Sequence, residues 1–361
     1  MKAILALEDG STFEGAAVGA GGERMGEVIL NTAVVGYQEI VTDPANAGKI
    51  VVLTYPLIGN YGAAAKFSES ERCWASALVM KERSRTVSNW QAQESLDDFI
   101  KKEKLVAIEG VDTRTLAVLI REKGQMAGIV STKKSDRKGL MRKLSAWKKK
   151  AKVDFISKVS VGKVRRIRGR KGGPTVGILD LGLRNGFVSQ LRTLGCSLAV
   201  LPYDTSAESI LGMKLDGLVL CGGPEEDEAI PSVVDQVRKL LGKVPMLGIC
   251  TGHEVIALAL GGRLEKMKVG HRGVNYPVRT PDSFKGEITV QNHSYIVDEK
   301  SLAAQKGVKI TLRNVNDNSV EEMRSGSLRF ISTQYYPVSP GFEEVNPVFP
   351  AFLAMARKKG K

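Results

Sequence analysis

Histidine is scarce in this chain. Only His253, His271 and His293 occur in 361 residues, so any imidazole acid–base step has three candidates, and none lies beyond position 293. Cysteine is nearly as sparse. Cys73, Cys196, Cys221 and Cys250 are widely separated and form no C-x-x-C pair, so neither a disulfide framework nor a zinc site is expected, and a reducing cytoplasmic setting fits best. No stretch approaches the roughly 18 apolar residues of a membrane span. The opening MKAILALEDG meets an acidic pair too early for a signal peptide, so no membrane contact is expected. No phosphate-cradling glycine loop is recognisable, so no nucleotide site, cofactor or metal is expected on this chain.

What is present describes a globular protein of two domains. A length of 361 residues exceeds one ordinary core, and 43% apolar with 25% charged residues is unremarkable composition. The net charge of +14 is concentrated in one place. Between Lys133 and Lys171 there are 17 Lys and Arg against Asp136 and Asp154, which leaves the rest of the chain near neutrality. Such a block reads as a solvated inter-domain segment. A surface for nucleic acid or an acidic partner is the alternative, and nucleic acid is not expected as the main partner.

The stretch from Val244 to Leu260 carries the chemistry. Pro245 to Ile249 is an apolar run suited to a buried strand, and Val255, Ile256, Leu258, Ala259 and Leu260 follow with helical spacing. Cys250 therefore falls on the turn between them. Gly248 and Gly252 allow that turn to be tight, the arrangement of a nucleophile elbow, and a helix N-terminus favours a thiolate over a thiol. Around it, strands at 175–181, 197–202, 217–221 and 244–249 alternate with helices at 187–194, 207–213 and 233–241. That alternation predicts a mostly parallel sheet with helices on both faces. Ligands gather at the carboxyl ends of such strands, where Cys221-Gly222-Gly223-Pro224 and Cys250 both lie.

The first 130 residues read differently. Short strand-like runs at 3–7 and 13–18 flank the turn Glu8-Asp9-Gly10-Ser11, and β-branched runs separated by Asp-Pro and Gly-Asn turns fill positions 26–62. Asp112 and Thr113 predict a helix start, Leu116, Leu119 and Ile120 its apolar stripe, and Gly124 its end.

Three sets of residues resemble one family. GYQEIVTDP and TYPLIGN in the first part, and GICTGH around Cys250, are similar to the small chain of carbamoyl phosphate synthetase, a class I glutamine amidotransferase. The resemblance implies a β-rich N-terminal domain at 1–150, a basic linker at 151–172 and an α/β amidotransferase domain at 173–361. It implies glutamine as substrate, Cys250 as nucleophile, and backbone N–H groups at Gly223 and Thr251 as the oxyanion hole. It places Glu254, Asn292, Ser294 and Tyr295 at the glutamine. It also implies a large-subunit partner that binds ATP and a divalent metal.

The same resemblance exposes departures. Where relatives have Q-x-H-P-E, this chain reads Gln334-Tyr335-Tyr336-Pro337-Val338, so Tyr336 stands at the position of the base His and the orienting Glu is missing. Glu254 replaces a glutamine, Glu225 a loop glycine, and Ala45 a serine common in relatives. A degenerate, non-catalytic subunit supporting an ammonia-using large chain is therefore the alternative to a glutamine-hydrolysing one.

Overall fold

The structure, a computed structural model, describes residues 1–361 except 134–135, 151–152, 282, 284, 342–343 and 358–361. It divides into two compact units, Met1–Lys152 with Lys268–Gly273, and Val153–Met267 with Val274–Lys361.

The first unit is a closed barrel. Its strands run in the spatial order Lys2–Leu7, Thr12–Gly19, Val106–Glu109, Ala77–Val79, Ile50–Leu53, Glu23–Asn31 and Met126–Ser131, the last closing onto the first. Leu5, Leu7, Val28, Ile50, Val79 and Ile108 pack together on one face. Ile29, Val51, Leu78 and Ala107 belong to a second cluster with Tyr37, Phe99 and Ile100. Strands buried on both faces need apolar residues at every position, which is why Ile50–Leu53 reads as IVVL rather than alternating. The Thr113–Lys123 helix starts where Asp112 accepts the Thr115 N–H at 3.0 Å, and Leu116 and Ile120 join the first cluster. Lys268–Gly273 groups here because its carbonyls at Lys268 and Arg272 accept the Gln125 and Thr32 N–H groups.

The part of the basic segment that precedes the expected linker at 151–172 is helical and seated on the first unit rather than solvated along its whole length. Arg137–Lys150 is a helix whose Leu140 and Leu144 are fully buried beside Ala6 and Ile129. Lys143 pairs with Glu23 at 2.8 Å and Lys148 with Glu8. A leucine pair four residues apart is enough to seat a helix, and the lysines and arginines around them mask it in a charge count. From Val153 to Met267 the chain belongs to the second unit. Phe155 and Ile156 donate their N–H groups to Asp227 at 2.6 and 2.9 Å, and Arg165–Ile167 adds an antiparallel edge strand against Ser197–Pro202. A charged edge strand discourages further pairing.

The second unit is built on a ten-stranded sheet. Ser197–Pro202, Thr175–Asp180, Gly217–Leu220, Met246–Ile249 and Phe330–Thr333 pair in parallel in that order. The intervening helices are Asn185–Thr193, Ala207–Gly212, Ile230–Leu240 and Thr251–Ala259. Each lies within three residues of its expected bounds or follows the elbow as expected. The fold class is the expected one, a mostly parallel α/β sheet in one unit and a smaller β-rich unit. Four further strands, Val320–Ser325, Lys309–Asn314, Arg263–Arg279 and Gly286–Asp298, extend the sheet beyond Phe330–Thr333, the first two antiparallel to their neighbours.

Candidate active site

Met246–Ile249 passes into the Thr251–Ala259 helix through a single residue, Cys250. Its backbone has φ 52° and ψ −111°, a conformation that L-residues avoid and that costs about 1–3 kcal/mol. Two glycines make the sharp turn possible. A Cβ on Gly252 would lie 2.1 Å from the Leu220 carbonyl oxygen, and one on Gly248 would lie 2.6 Å from that of Gly252. The Cys250 N–H donates to the Thr333 carbonyl at 2.7 Å, and its thiol donates to the Asn292 carbonyl at 3.5 Å. The side chain is fully buried. Cys221, also buried, is a different kind of thiol: it donates to the Leu179 carbonyl at 3.3 Å, and burial raises its pKa well above the usual value.

The glycine loop meets the elbow. Thr251 Oγ1 donates to the Gly223 carbonyl at 2.6 Å and accepts the Gly223 N–H at 3.3 Å, so the two residues expected to form an oxyanion hole are joined. A Cβ on Gly222 would touch both Tyr336 Cε1 at 3.3 Å and Cys250 Cβ at 3.4 Å. Tyr336 therefore lies beside Cys250 across Gly222. It is buried, its N–H donates to the Val290 carbonyl at 2.9 Å, and its hydroxyl accepts from Asn292 Nδ2 at 3.4 Å. The Phe187 ring meets its ring edge-on with centroids 5.8 Å apart, and the Arg184 guanidinium lies 4.3 Å from its centroid. A cation over a tyrosine face is attracted by the ring's negative quadrupole.

Glu254 is buried and accepts from Gln334 Nε2 at 2.9 Å, which joins the helix after Cys250 to the residue just before the two tyrosines. Asn292, Ser294 and Tyr295 lie together on the Gly286–Asp298 strand. The Ser294 and Tyr295 N–H groups both donate to Glu225 Oε1, at 2.5 and 3.1 Å. The Tyr295 hydroxyl donates to Glu226, which also pairs with Lys266 at 2.6 Å. Two histidines of this unit use Nδ1 elsewhere: His253 with Ser332 Oγ at 2.9 Å, and His293 with the Tyr295 carbonyl at 2.8 Å. Burial lowers the pKa of His253 to about 4, so it is neutral near pH 7. His271 groups with the first unit.

Several contributors escaped the sequence reading. Gln190 Nε2 donates to the Pro337 carbonyl at 2.9 Å while its Oε1 accepts the Asn346 N–H at 2.8 Å, and Asn346 Nδ2 donates to the Val338 carbonyl at 3.2 Å. These bonds hold the backbone that carries Tyr336. A polar residue amid the apolar stripe of the Asn185–Thr193 helix was the available signal. Arg184 and the carboxylate contact of Glu225 left no such trace.

Among the described residues no helix is long and apolar enough to cross a membrane. Residues 5–130 match the family model of the carbamoyl-phosphate synthase small chain, CPSase domain, and residues 178–355 match class-I glutamine amidotransferase. A carbamoyl phosphate synthase small chain of Bacillus caldolyticus is 39% identical over all of this chain and 98% of its own length. One from Clostridium acetobutylicum is 38% identical, covering 98% of this chain and 99% of itself. The pyrimidine-specific small chain of Bacillus subtilis is 37% identical over 98% of this chain and 96% of itself. With both models in order along the sequence and relatives this similar from end to end, the chain belongs to the carbamoyl phosphate synthase small chain family.

Proposed function

We propose that this chain binds glutamine against Cys250 and hydrolyses it slowly, as the amidotransferase subunit of a carbamoyl phosphate synthase. The Cys250 sulfur attacks the side-chain amide, the thiol proton ends on the departing ammonia, and a thioester remains. Water then releases glutamate and restores the thiol. The N–H groups of Gly223 and Thr251 would hold the developing oxyanion, which requires the Thr251 hydroxyl to give up its bond with Gly223. Glu254, Asn292, Ser294 and Tyr295 surround the bound amino acid. The ammonia passes to a large subunit, which holds ATP and a divalent metal and makes carbamoyl phosphate from bicarbonate. In this reading the pair is a cytoplasmic heterodimer that serves arginine and pyrimidine synthesis, and nucleic acid plays no part.

The observation that carries the reading is Cys250 itself, a buried thiol on a strained strand-to-helix turn beside a glycine loop. Its slow rate is argued from Tyr336. A phenol has a pKa near 10, so it is a weak base at neutral pH. Lack of a positioned base costs about 10² to 10⁴ in rate. The same residue favours the second reading, a non-catalytic subunit that supports an ammonia-using large chain.

Ammonia release from glutamine by the purified chain, alone and with its large subunit, tests both. Slow turnover abolished by Cys250→Ala is the expected result. Turnover of about 1 per second or faster would mean that another base serves the thiol. Complete silence in the presence of the large subunit would select the non-catalytic reading.

A further inference from the structure

We infer that Glu225 is a built-in competitor for the carboxylate of the incoming amino acid, held in place by the N–H groups of Ser294 and Tyr295. The inference rests on the reading of the Cys250 pocket as an amino-acid site. Two successive backbone N–H groups converge on one carboxylate oxygen, Glu225 Oε1, at 2.5 and 3.1 Å. Paired N–H donors of this kind bind carboxylates through charge-assisted hydrogen bonds. This pair is two residues along the same strand from Asn292, whose carbonyl accepts the Cys250 thiol at 3.5 Å. It is thus a carboxylate site beside the nucleophile, and the protein's own side chain fills it.

The neighbourhood explains how the plug is kept and how it leaves. Glu225 lies in the irregular loop between the Gly217–Leu220 strand and the Ile230–Leu240 helix, and is only partly buried. The next residue, Glu226, takes the Tyr295 hydroxyl and the Lys266 ammonium, so the loop is fastened to the strand at two successive positions. Cys250 is fully buried in this arrangement. An amino acid whose carboxylate takes the two N–H groups must displace Glu225. A ligand that competes with an internal occupant binds with an affinity reduced by the fraction of time the site is open. Glu225 thereby sets the glutamine concentration at which the pocket fills, independently of how fast Cys250 reacts.

The test uses the full chain labelled with ¹⁵N-serine and ¹⁵N-tyrosine. The Tyr295 amide is assigned through its loss in Tyr295→Phe, and glutamine affinity is measured by calorimetry. In Glu225→Ala, the Tyr295 amide proton moves upfield without ligand and returns downfield on adding L-glutamine, and glutamine binds about tenfold more tightly than to the wild type. L-Glutaminamide, which lacks the α-carboxylate, neither restores the shift nor gains affinity. Glu225→Gln, closer in shape, gives a smaller change of the same sign and guards against misfolding of the alanine variant.

An unmoved Tyr295 amide in both variants, or glutamine affinity equal to or below that of the wild type, overturns the inference. If the shift and the tighter binding occur but no Cys250-dependent ammonia appears, the catalytic reading fails and the role of Glu225 stands.

Discussion

Two buried regions of the molecule differ in chemistry. In the first unit Leu5, Val28, Ile50, Val79, Ile108, Leu116 and Ile120 share one largely aliphatic cluster, while Gln38, Asp43 and Asn46 are buried in its segment 37–46. The second unit, at the carboxyl end of its parallel strands, buries His253, Glu254, Gln291, Asn292, His293, Glu321 and Gln334. Apolar interiors tolerate imperfect fit at a graded cost, because each lost contact is small. Buried polar groups must be partnered, so each one constrains the next: Gln334 serves Glu254, and Gln291 Nε2 and Asn314 Nδ2 both donate to Glu321, at 2.9 and 2.8 Å. The aliphatic cluster is therefore set by volume, and the region around Cys250 by geometry.

The sharpest way to break this comparison is a small change at the elbow. Gly252→Ala adds one methyl group, yet it would lie 2.1 Å from a backbone oxygen that cannot rotate aside. A loss of about 4 kcal/mol or more is expected, in the exceptional class for one substitution. Hydrogen exchange should rise across the Met246–Ile249 strand and the Thr251–Ala259 helix while the barrel amides stay protected. Protection unchanged at the elbow would mean that the helix has room to move.

In the barrel a much larger change should be gentler. Leu116→Ala removes a fully buried side chain and is expected to cost about 3 kcal/mol, the middle of the range for leucine truncation. Its signature is faster exchange in the first unit alone, with ammonia release by the purified chain unaffected. A cost as large as that of Gly252→Ala would erase the distinction between the two regions.

The smallest expected effect concerns pH. His253 is held neutral in the folded state, with a pKa near 4 against the usual 6.5. Between those values the unfolded chain binds a proton that the folded chain refuses, so stability is full above about pH 6.5 and falls as the pH drops towards 4. The loss between pH 7 and pH 5 is about 2 kcal/mol from this one residue. His253→Gln should flatten that part of the stability curve relative to the wild type. Parallel curves would place the acid sensitivity in the carboxylates.

The legibility of the sequence follows the same division. Strands buried on both faces, such as Met246–Ile249, and capped helices, such as Thr113–Lys123, announce themselves through apolar runs and end signals. The elbow was legible too, because its glycines sit at fixed offsets from Cys250. The basic helix at Arg137–Lys150 was hidden because its two leucines are its only buried residues and charge dominates its composition. Among the added strands, Arg263–Arg279 and Lys309–Asn314 were hidden because their faces are only partly buried, which weakens the alternation that identifies a strand. Least legible were the pairings across the fold. Glu225 and Tyr295 are 70 residues apart, and nothing in the spacing of either reveals that one carboxylate will meet the other's backbone.

The backbone at Cys250 has a consequence for mutational drift. At φ 52° and ψ −111° a glycine would sit without backbone strain, so Cys250→Gly relieves that cost. Against the relief stand the fully buried volume of the side chain, the thiol's bond to the Asn292 carbonyl and the extra freedom that a glycine gives the unfolded chain. The two sides are of similar size, so the thiol at position 250 can be lost at little cost to folding, whereas Gly252 beside it cannot change without forcing the turn apart.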